Sequence, residues 1–389
     1  MTNQGWARRC PGRRRAPAIG KSLAAAFLGL GLAGPAFAGP PEDGPGAPMV
    51  YPRLEGEVSV ELGADSTIRS GDPAARISEA YPTVEASLGL FLTEVLSIQS
   101  GLVLEPVIDP LPGQDRFFGD IGLYAEEIFA QYEREGVRIF AGKFNPSFGT
   151  AWDAAPGVYG VDFAEDYELA EMIGGGGALT IGGNGQPVAI ITANIFLADT
   201  TVLSESAFTN RGRATLAAGG PANSGDLDSF SLTLDVAELP ALPGIGLHLG
   251  ARRLSAGLGD PSDSLGFVAA INGDHELGGE SALTWIAEIA HLQDAEATLD
   301  DITYVTLGGG ITRGPWNCAA STTFRSRNVA GGADLDDRLV AGSCGYEFES
   351  GPLGGFAIDG GVKFERVAGI ESTTIGLRIA RAFEFAVPR

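Results

Sequence analysis

From Leu54 to Gly63 apolar and polar residues alternate, with Leu54, Val58, Val60 and Leu62 set against Glu55, Glu57, Ser59 and Glu61. A period of two marks a strand with one wet face. Val84, Ala86, Leu88 and Leu90 repeat the pattern against Thr83, Glu85 and Ser87, and it returns to the end of the chain. It predicts sixteen strands, at 54–63, 82–92, 96–106, 121–133, 137–144, 177–182, 187–197, 228–237, 245–253, 265–272, 281–293, 302–312, 316–328, 338–348, 355–365 and 373–385. In the fourth, Glu126 and Glu127 are adjacent, so one of them faces the wrong way unless a bulge intervenes.

The connections between these strands alternate in length. Long ones, at 64–81, 107–120, 145–176 and 198–227, are separated by short ones at 93–95, 134–136, 183–186 and 238–244. The contrast weakens later, down to the short turn 313–315, and Asn184-Gly185 is a hairpin-turn pair. Strands of about ten residues, joined by long loops at one end and short turns at the other, have the layout of a transmembrane β-barrel.

Opposite faces of the strands agree. One carries Leu283, Trp285, Ala287 and Ile289, Trp316 and Phe324, Val340, Tyr346 and Phe348, then Ile375, Leu377, Ile379, Phe383 and Phe385. The other carries Thr284 and Glu288, Asn317, Ser321, Thr323, Arg325 and Arg327, Asp359, Lys363 and Glu365, then Thr374, Arg378 and Glu384. Lipid outside and water inside account for both. A soluble sandwich would also alternate, but closure is what removes the unpaired strand edges that a membrane excludes.

The connection from 145 to 176 is far longer than a hairpin loop. It carries Asp153, Asp162, Glu165, Asp166, Glu168 and Glu171, and after Lys143 no basic residue. Pro146 and Pro156 fix φ, Gly149, Gly157 and Gly160 allow bends, and Phe144, Phe148, Trp152, Tyr159, Phe163 and Tyr167 offer bulk for packing. Its length permits it to cross a wide lumen. Arg325, Arg327, Lys363 and Arg378 would then face its acids across the passage, or else pair with Glu365, Glu384 and the acids of the first strand.

At the N-terminus Arg8, Arg9, Arg13, Arg14, Arg15 and Lys21 precede an apolar run from Leu23 to Ala33 and the small residues Ala36-Phe37-Ala38. This reads as a secretory signal peptide over 1–38, followed by a Pro-rich periplasmic leader over 39–53 and a barrel over 54–389. Its removal takes away six basic and no acidic residues, leaving 20 basic against 49 acidic groups, net −29. Such a charge disfavours nucleic acid as a partner. Cys318 and Cys344 fall opposite each other on neighbouring strands, so they form either a bridge or two apolar thiols. His248, His275 and His291 are scattered without metal-ligand spacing, no nucleophile signature appears, and neither cofactor nor metal is expected.

The final strand, TTIGLRIARAFEF, resembles the C-terminal strand of Gram-negative outer-membrane proteins, although Ala-Val-Pro-Arg follows Phe385. Together with the strand count and the long third loop, the chain resembles a bacterial outer-membrane porin. That resemblance implies an all-β, sixteen-stranded barrel, a homotrimer in lipid and lipopolysaccharide, and a third loop folded into the pore. The expected function is passive, weakly cation-selective diffusion of small hydrophilic solutes and ions. A substrate-specific channel and an enzyme or adhesin on a barrel scaffold are the alternatives.

Overall fold

In the computed structural model, residues 50–183, 186–239 and 241–387 are described, so the signal-peptide reading, most of the leader and the Asn184-Gly185 turn lie outside them. Sixteen long strands form the wall among the described residues. They are β1 (Arg53–Ser70), β2 (Ser78–Phe91), β3 (Leu96–Pro106), β4 (Ile121–Arg134), β5 (Val137–Phe144), β6 (Met172–Gly183), β7 (Gln186–Ala198) and β8 (Ser229–Val236). The second half comprises β9 (Ile245–Leu254), β10 (Ser264–Gly278), β11 (Ser281–Ala295), β12 (Asp300–Arg313), β13 (Trp316–Asn328), β14 (Leu335–Glu347), β15 (Phe356–Val367) and β16 (Ile370–Val387).

Each strand pairs antiparallel with the next, and β1 pairs with β16 from Leu54↔Val387 to Ser70↔Ser372, which closes the barrel. Both described chain ends lie with the short turns, and the inward loop lies at the other end. No helix among the described residues is long and apolar enough to cross a membrane. The outer face is apolar: Ile289, Phe324, Val340, Phe364, Ile375 and Leu377 are all exposed. Near the short turns Trp316 meets Tyr346 edge-on at 4.8 Å and Tyr346 meets Phe348 at 5.0 Å, with Phe383 and Phe385 exposed close by. Such aromatic girdles suit the lipid–water boundary.

The loop after β1 is shorter than expected, 71–77 instead of 64–81, because both strands continue. Ser66 pairs with Ser78 and Ile375, and a register shift follows between Thr67 and Arg69. These residues carry no apolar alternation because they need not face lipid. The third loop is likewise 145–171, and Gly174 to Gly177 belong to β6, where each is paired with both β5 and β7. Glycine has no side chain to alternate, so this stretch reads as loop. A register shift in β4, where Gly101 pairs with Glu127 and Leu102 with Ala125, makes Glu126 the extra residue and leaves both glutamates buried.

Where the chain leaves the wall at Phe144, β4 would be left with an open edge. The two-residue strand Ala207–Phe208 covers it, pairing with Leu123 and Gly122. Arg116–Phe117 does the same for the start of β2.

Cys318 and Cys344 stand in register on β13 and β14 and are joined by a disulfide. The surrounding ladder is made of small residues, Gly309, Ala319, Ala320, Gly342 and Gly360, whose side chains specify register weakly. Titration of thiols in unfolded, unreduced mature protein should therefore find none. Two titratable thiols would show that the hairpin is not bridged.

Candidate functional site: the inward loop and the lumen wall

The 145–171 loop turns into the barrel and packs there. Phe148, Ala151, Trp152, Ala155, Ala164 and Tyr167 are buried in one cluster with Leu254, Val268, Ile286, Ala290, Leu292 and Ile302 from β9–β12. Burying each large apolar side chain contributes about 1.5–3 kcal/mol. In β11 this places apolar residues on both faces, Ala282, Ile286, Ala290 and Leu292 inside and Leu283, Trp285 and Ile289 outside. A barrel strand apolar on both sides is the signal in the sequence that something covers its inner face.

The root of the loop is held by carboxylates. Asn145 donates its backbone N–H to Glu127 and its side-chain amide to Glu126, so the bulge in β4 supplies both acceptors. Lys143, 1 % exposed, pairs with Glu171 at 2.9 Å and Asp199 at 3.0 Å, while Arg211 also binds Glu171. Further in, Glu288 of β11 accepts from the Thr150 N–H at 2.7 Å, the Thr150 hydroxyl at 2.9 Å, the Ala151 N–H at 3.1 Å and the Tyr167 hydroxyl. One buried carboxylate thus ties the outgoing limb to the returning one. Gly149 lies beside it at φ +75°, and a Cβ there would sit 2.8 Å from the Tyr167 ring.

His248 accepts the Gly149 N–H on Nε2, while its Nδ1 lies 2.6 Å from Asp235. This carboxylate–imidazole pair therefore anchors the loop, and the nitrogen a general base would use is occupied. Arg252 donates to the Tyr167 carbonyl at 2.7 Å and lies 4.4 Å from the centre of the Phe148 ring.

The apex reaches the opposite wall. The Tyr159 hydroxyl donates to Asp65 of β1 at 2.5 Å, and Asp65 also takes two hydrogen bonds from Arg378 of β16 and one from Tyr81. The loop tip thus docks on the closing seam. Gly376 is required there, since a Cβ would come within 2.1 Å of the Tyr159 hydroxyl. Burial, followed by the charges of Asp65 and Glu288, holds the Tyr159 and Tyr167 phenols well above their ordinary range, so both remain donors.

The acids of the loop divide into groups. Asp162 pairs with Lys363 at 2.8 Å, and Asp166 pairs with Arg325 at 2.6 Å and accepts from Tyr304 at 3.2 Å. Glu171 is at the root, Asp153 is exposed on the short helix α1 (Ala151–Ala154), and Glu165 and Glu168 are half-buried. Among the wall bases, Arg325 also binds Asp337 at 2.7 Å and Lys363 binds Glu365 at 3.4 Å. Arg378 binds Glu61 at 3.2 Å, and Arg327 binds Glu296 and Asp300 above the loop. Loop acids and wall bases are therefore in contact, with no wet gap between these partners. Sequence reasoning did not single out Glu288, Tyr159 or Arg252 as anchors, although a lone glutamate in the apolar run of β11 was a visible mark.

No family model and no curated protein matches this sequence. Solved structures do match. The outer membrane protein OpdK (OccK1) of Pseudomonas aeruginosa aligns with a TM-score of 0.54 at 9% identity, over 85% of this chain and 99% of that one. OccAB3 of Acinetobacter baumannii gives 0.53 at 9%, again over 85% and 99%. OmpT of Vibrio cholerae in its trimer form, an outer membrane protein, gives 0.52 at 10% over the same shares. The chain has the closed barrel fold of outer-membrane porins.

Replacing Glu288 by Ala leaves four donors without their acceptor, at about 1–3 kcal/mol for each that stays buried. Amide exchange over 148–170 should quicken while the strands remain protected, and Glu288→Gln should behave nearer to wild type. Unchanged exchange in Glu288→Ala would remove its anchoring role.

Proposed function

We propose that this chain is a porin of a Gram-negative outer membrane, a passive water-filled channel for small hydrophilic solutes and ions with a weak preference for cations. The observation that carries this reading is a closed wall, apolar outside and polar inside, whose lumen is narrowed by an ordered inward loop. Sixteen strands enclose more space than wall side chains fill, so water occupies what the loop leaves.

The sign of the selectivity follows from which charges cancel. Asp162 and Asp166 are matched by Lys363 and Arg325. Elsewhere on the lumen face stand Glu55, Glu57, Glu61, Glu85, Asp359 and Glu384, with Arg53 and Arg378 among them. This acidic excess raises the local cation concentration, modestly, since the Debye length is about 10 Å at 0.1 M salt. The loop acids 153–171 thus set the shape of the constriction more than its sign.

A substrate-specific channel is the second reading. It is favoured by the aromatic core that fills the β9–β12 side of the lumen, and by OpdK, whose structure has been solved with vanillate. Assembly as a homotrimer among lipid and lipopolysaccharide accompanies the first reading, with the trimer form of OmpT as its support.

Reversal potentials in a salt gradient across planar bilayers test the proposal. Wild type should pass cations over anions at neutral pH, and anion selectivity would sink it. Asp162→Asn with Asp166→Asn removes two negative charges from beside Lys363 and Arg325 and should move the reversal potential toward anions. Asp166 touches lumen water, yet desolvation by the surrounding wall raises its carboxyl above the usual range against the pull of Arg325. Acidification should therefore protonate it earlier than a surface aspartate and weaken cation preference in wild type more than in Asp166→Asn. Large ohmic conductance, unblocked by any one solute class, separates general diffusion from the substrate-specific reading.

A further inference from the structure

At the loop end of β14, β15, β16 and β1 the outward face of the wall turns from apolar to basic. Arg338 of β14 stands directly opposite Arg366 of β15, two residues beyond the exposed pair Val340 and Phe364 on the same face. Arg69 of β1 is opposite Thr373, which is itself opposite Phe364, so it faces outward too. Like charges directly across a strand pair destabilise it. All three arginines are exposed, and among the described residues the side chains of Arg366 and Arg69 make no ion pair or hydrogen bond. Two carboxylates share this face: Glu371, 3.6 Å from Arg338, and Asp336, which accepts from the Ser326 hydroxyl at 2.8 Å. By contrast Arg253, at the same end of β9, has Asp263 at 2.6 Å. The nearby connections 71–77 and 368–369 are short and leave the arginines uncovered.

A second observation, independent of charge, lies nearer the turns on the same sector. Outward-facing Gly309, Ala320, Gly342 and Gly360, with the Cys318–Cys344 bridge, floor a hollow of about 1010 Å³ in the lipid-facing wall. Glycine weakens a strand and usually marks a bend or a close approach. Neither requires it here. None of the three glycines has a left-handed φ, and a Cβ would meet nothing nearer than 3.7 Å at Gly309, 3.8 Å at Gly342 and 4.0 Å at Gly360. The hollow is therefore room left for something outside the wall. Val340 and Phe364 stand between it and the arginines, and four residues of strand, about 13 Å, separate Gly342 from Arg338.

We infer that Arg338, Arg366 and Arg69 bind the phosphate groups of a lipid of the external leaflet, whose acyl chain runs down the wall into the hollow beneath. A guanidinium takes two phosphate oxygens at once, and a phosphate placed between Arg338 and Arg366 relieves their repulsion. Charge and shape together select this occupant. A free anion would not use the hollow, and a wholly apolar partner would not use the arginines. The inference rests on the outer-membrane reading of the chain, which puts the loop end in the external leaflet, and it names the headgroup chemistry that the outer wall selects.

Native mass spectrometry of the mature protein in detergent tests it, with lipid A, which carries phosphates, and its dephosphorylated form as probes with the same acyl chains. The phosphorylated probe should be retained at a concentration about tenfold lower than the other, and excess inorganic phosphate should not displace it. Arg338→Gln with Arg366→Gln should raise its half-saturating concentration about tenfold, the loss of one hydrogen bond to a charged group, whereas Arg253→Gln should leave it unchanged. Gly342→Val, whose side chain enters only the hollow, should weaken retention of both probes. Retained migration of the unheated protein on gels shows that the variants are folded. Equal retention of the two probes, which is ordinary annular lipid only, overturns the site, as does retention indifferent to the arginine pair or to Gly342→Val. Displacement by inorganic phosphate overturns it in favour of a free anion. Absence of channel conductance with the lipid preference intact would overturn the channel reading and leave this site standing.

Discussion

Within a bilayer every backbone N–H and C=O of the wall has to find its partner in the wall, and the rest of this structure follows from that constraint. The pairing of β1 with β16 over most of their length meets it by closing the sheet. The inward loop strains it, because β5 ends at Phe144 while β4 continues beyond. Residues 207–208 repair the exposed edge, and the Lys143, Glu171 and Arg211 cluster fixes the segment that does so to the root of the loop. The long fourth connection is thus part of the wall as well as a surface loop.

Inside, the loop is held by two kinds of contact. Its root and limbs share an apolar core with β9–β12 and hang on buried acceptors, Glu288 and His248. Its apex is held by the buried bond of Tyr159 to Asp65 and by two ion pairs nearer to lumen water, Asp162 with Lys363 and Asp166 with Arg325. Apolar burial is insensitive to salt, whereas ion pairs in reach of water are screened. The limbs and the Tyr159 anchor therefore fix the place of the loop in the barrel, and the two ion pairs are the contacts that respond to ionic conditions. Because the Tyr159 anchor combines residues of β1, β2 and β16, the docking site of the apex is complete only when the barrel is closed.

Contact between loop acids and wall bases also changes where a solute meets charge. Pairs at 2.6–2.8 Å present little net field to the lumen. On the proposed channel reading the field comes instead from the acidic excess of β1, β2 and β16 on the turn side of the loop, which puts shape selection and charge selection at different depths of one passage.

Strand positions were legible in the sequence because the constraint behind them is local: lipid on one side and water on the other force alternation residue by residue. The reading of 96–106, 137–144 and 316–328 coincides with β3, β5 and β13 for that reason. It stopped short at 64–70, where the strand rises out of lipid, and at 172–176, where glycine carries no pattern. Alternation also states which face a residue occupies, but neither its height nor its bearing around the barrel. Only the closed tertiary structure could join Asp162 to Lys363, Glu288 to Thr150 and Tyr167, or Tyr159 to Asp65, pairs separated by roughly a hundred residues or more and brought together by the diameter of the lumen.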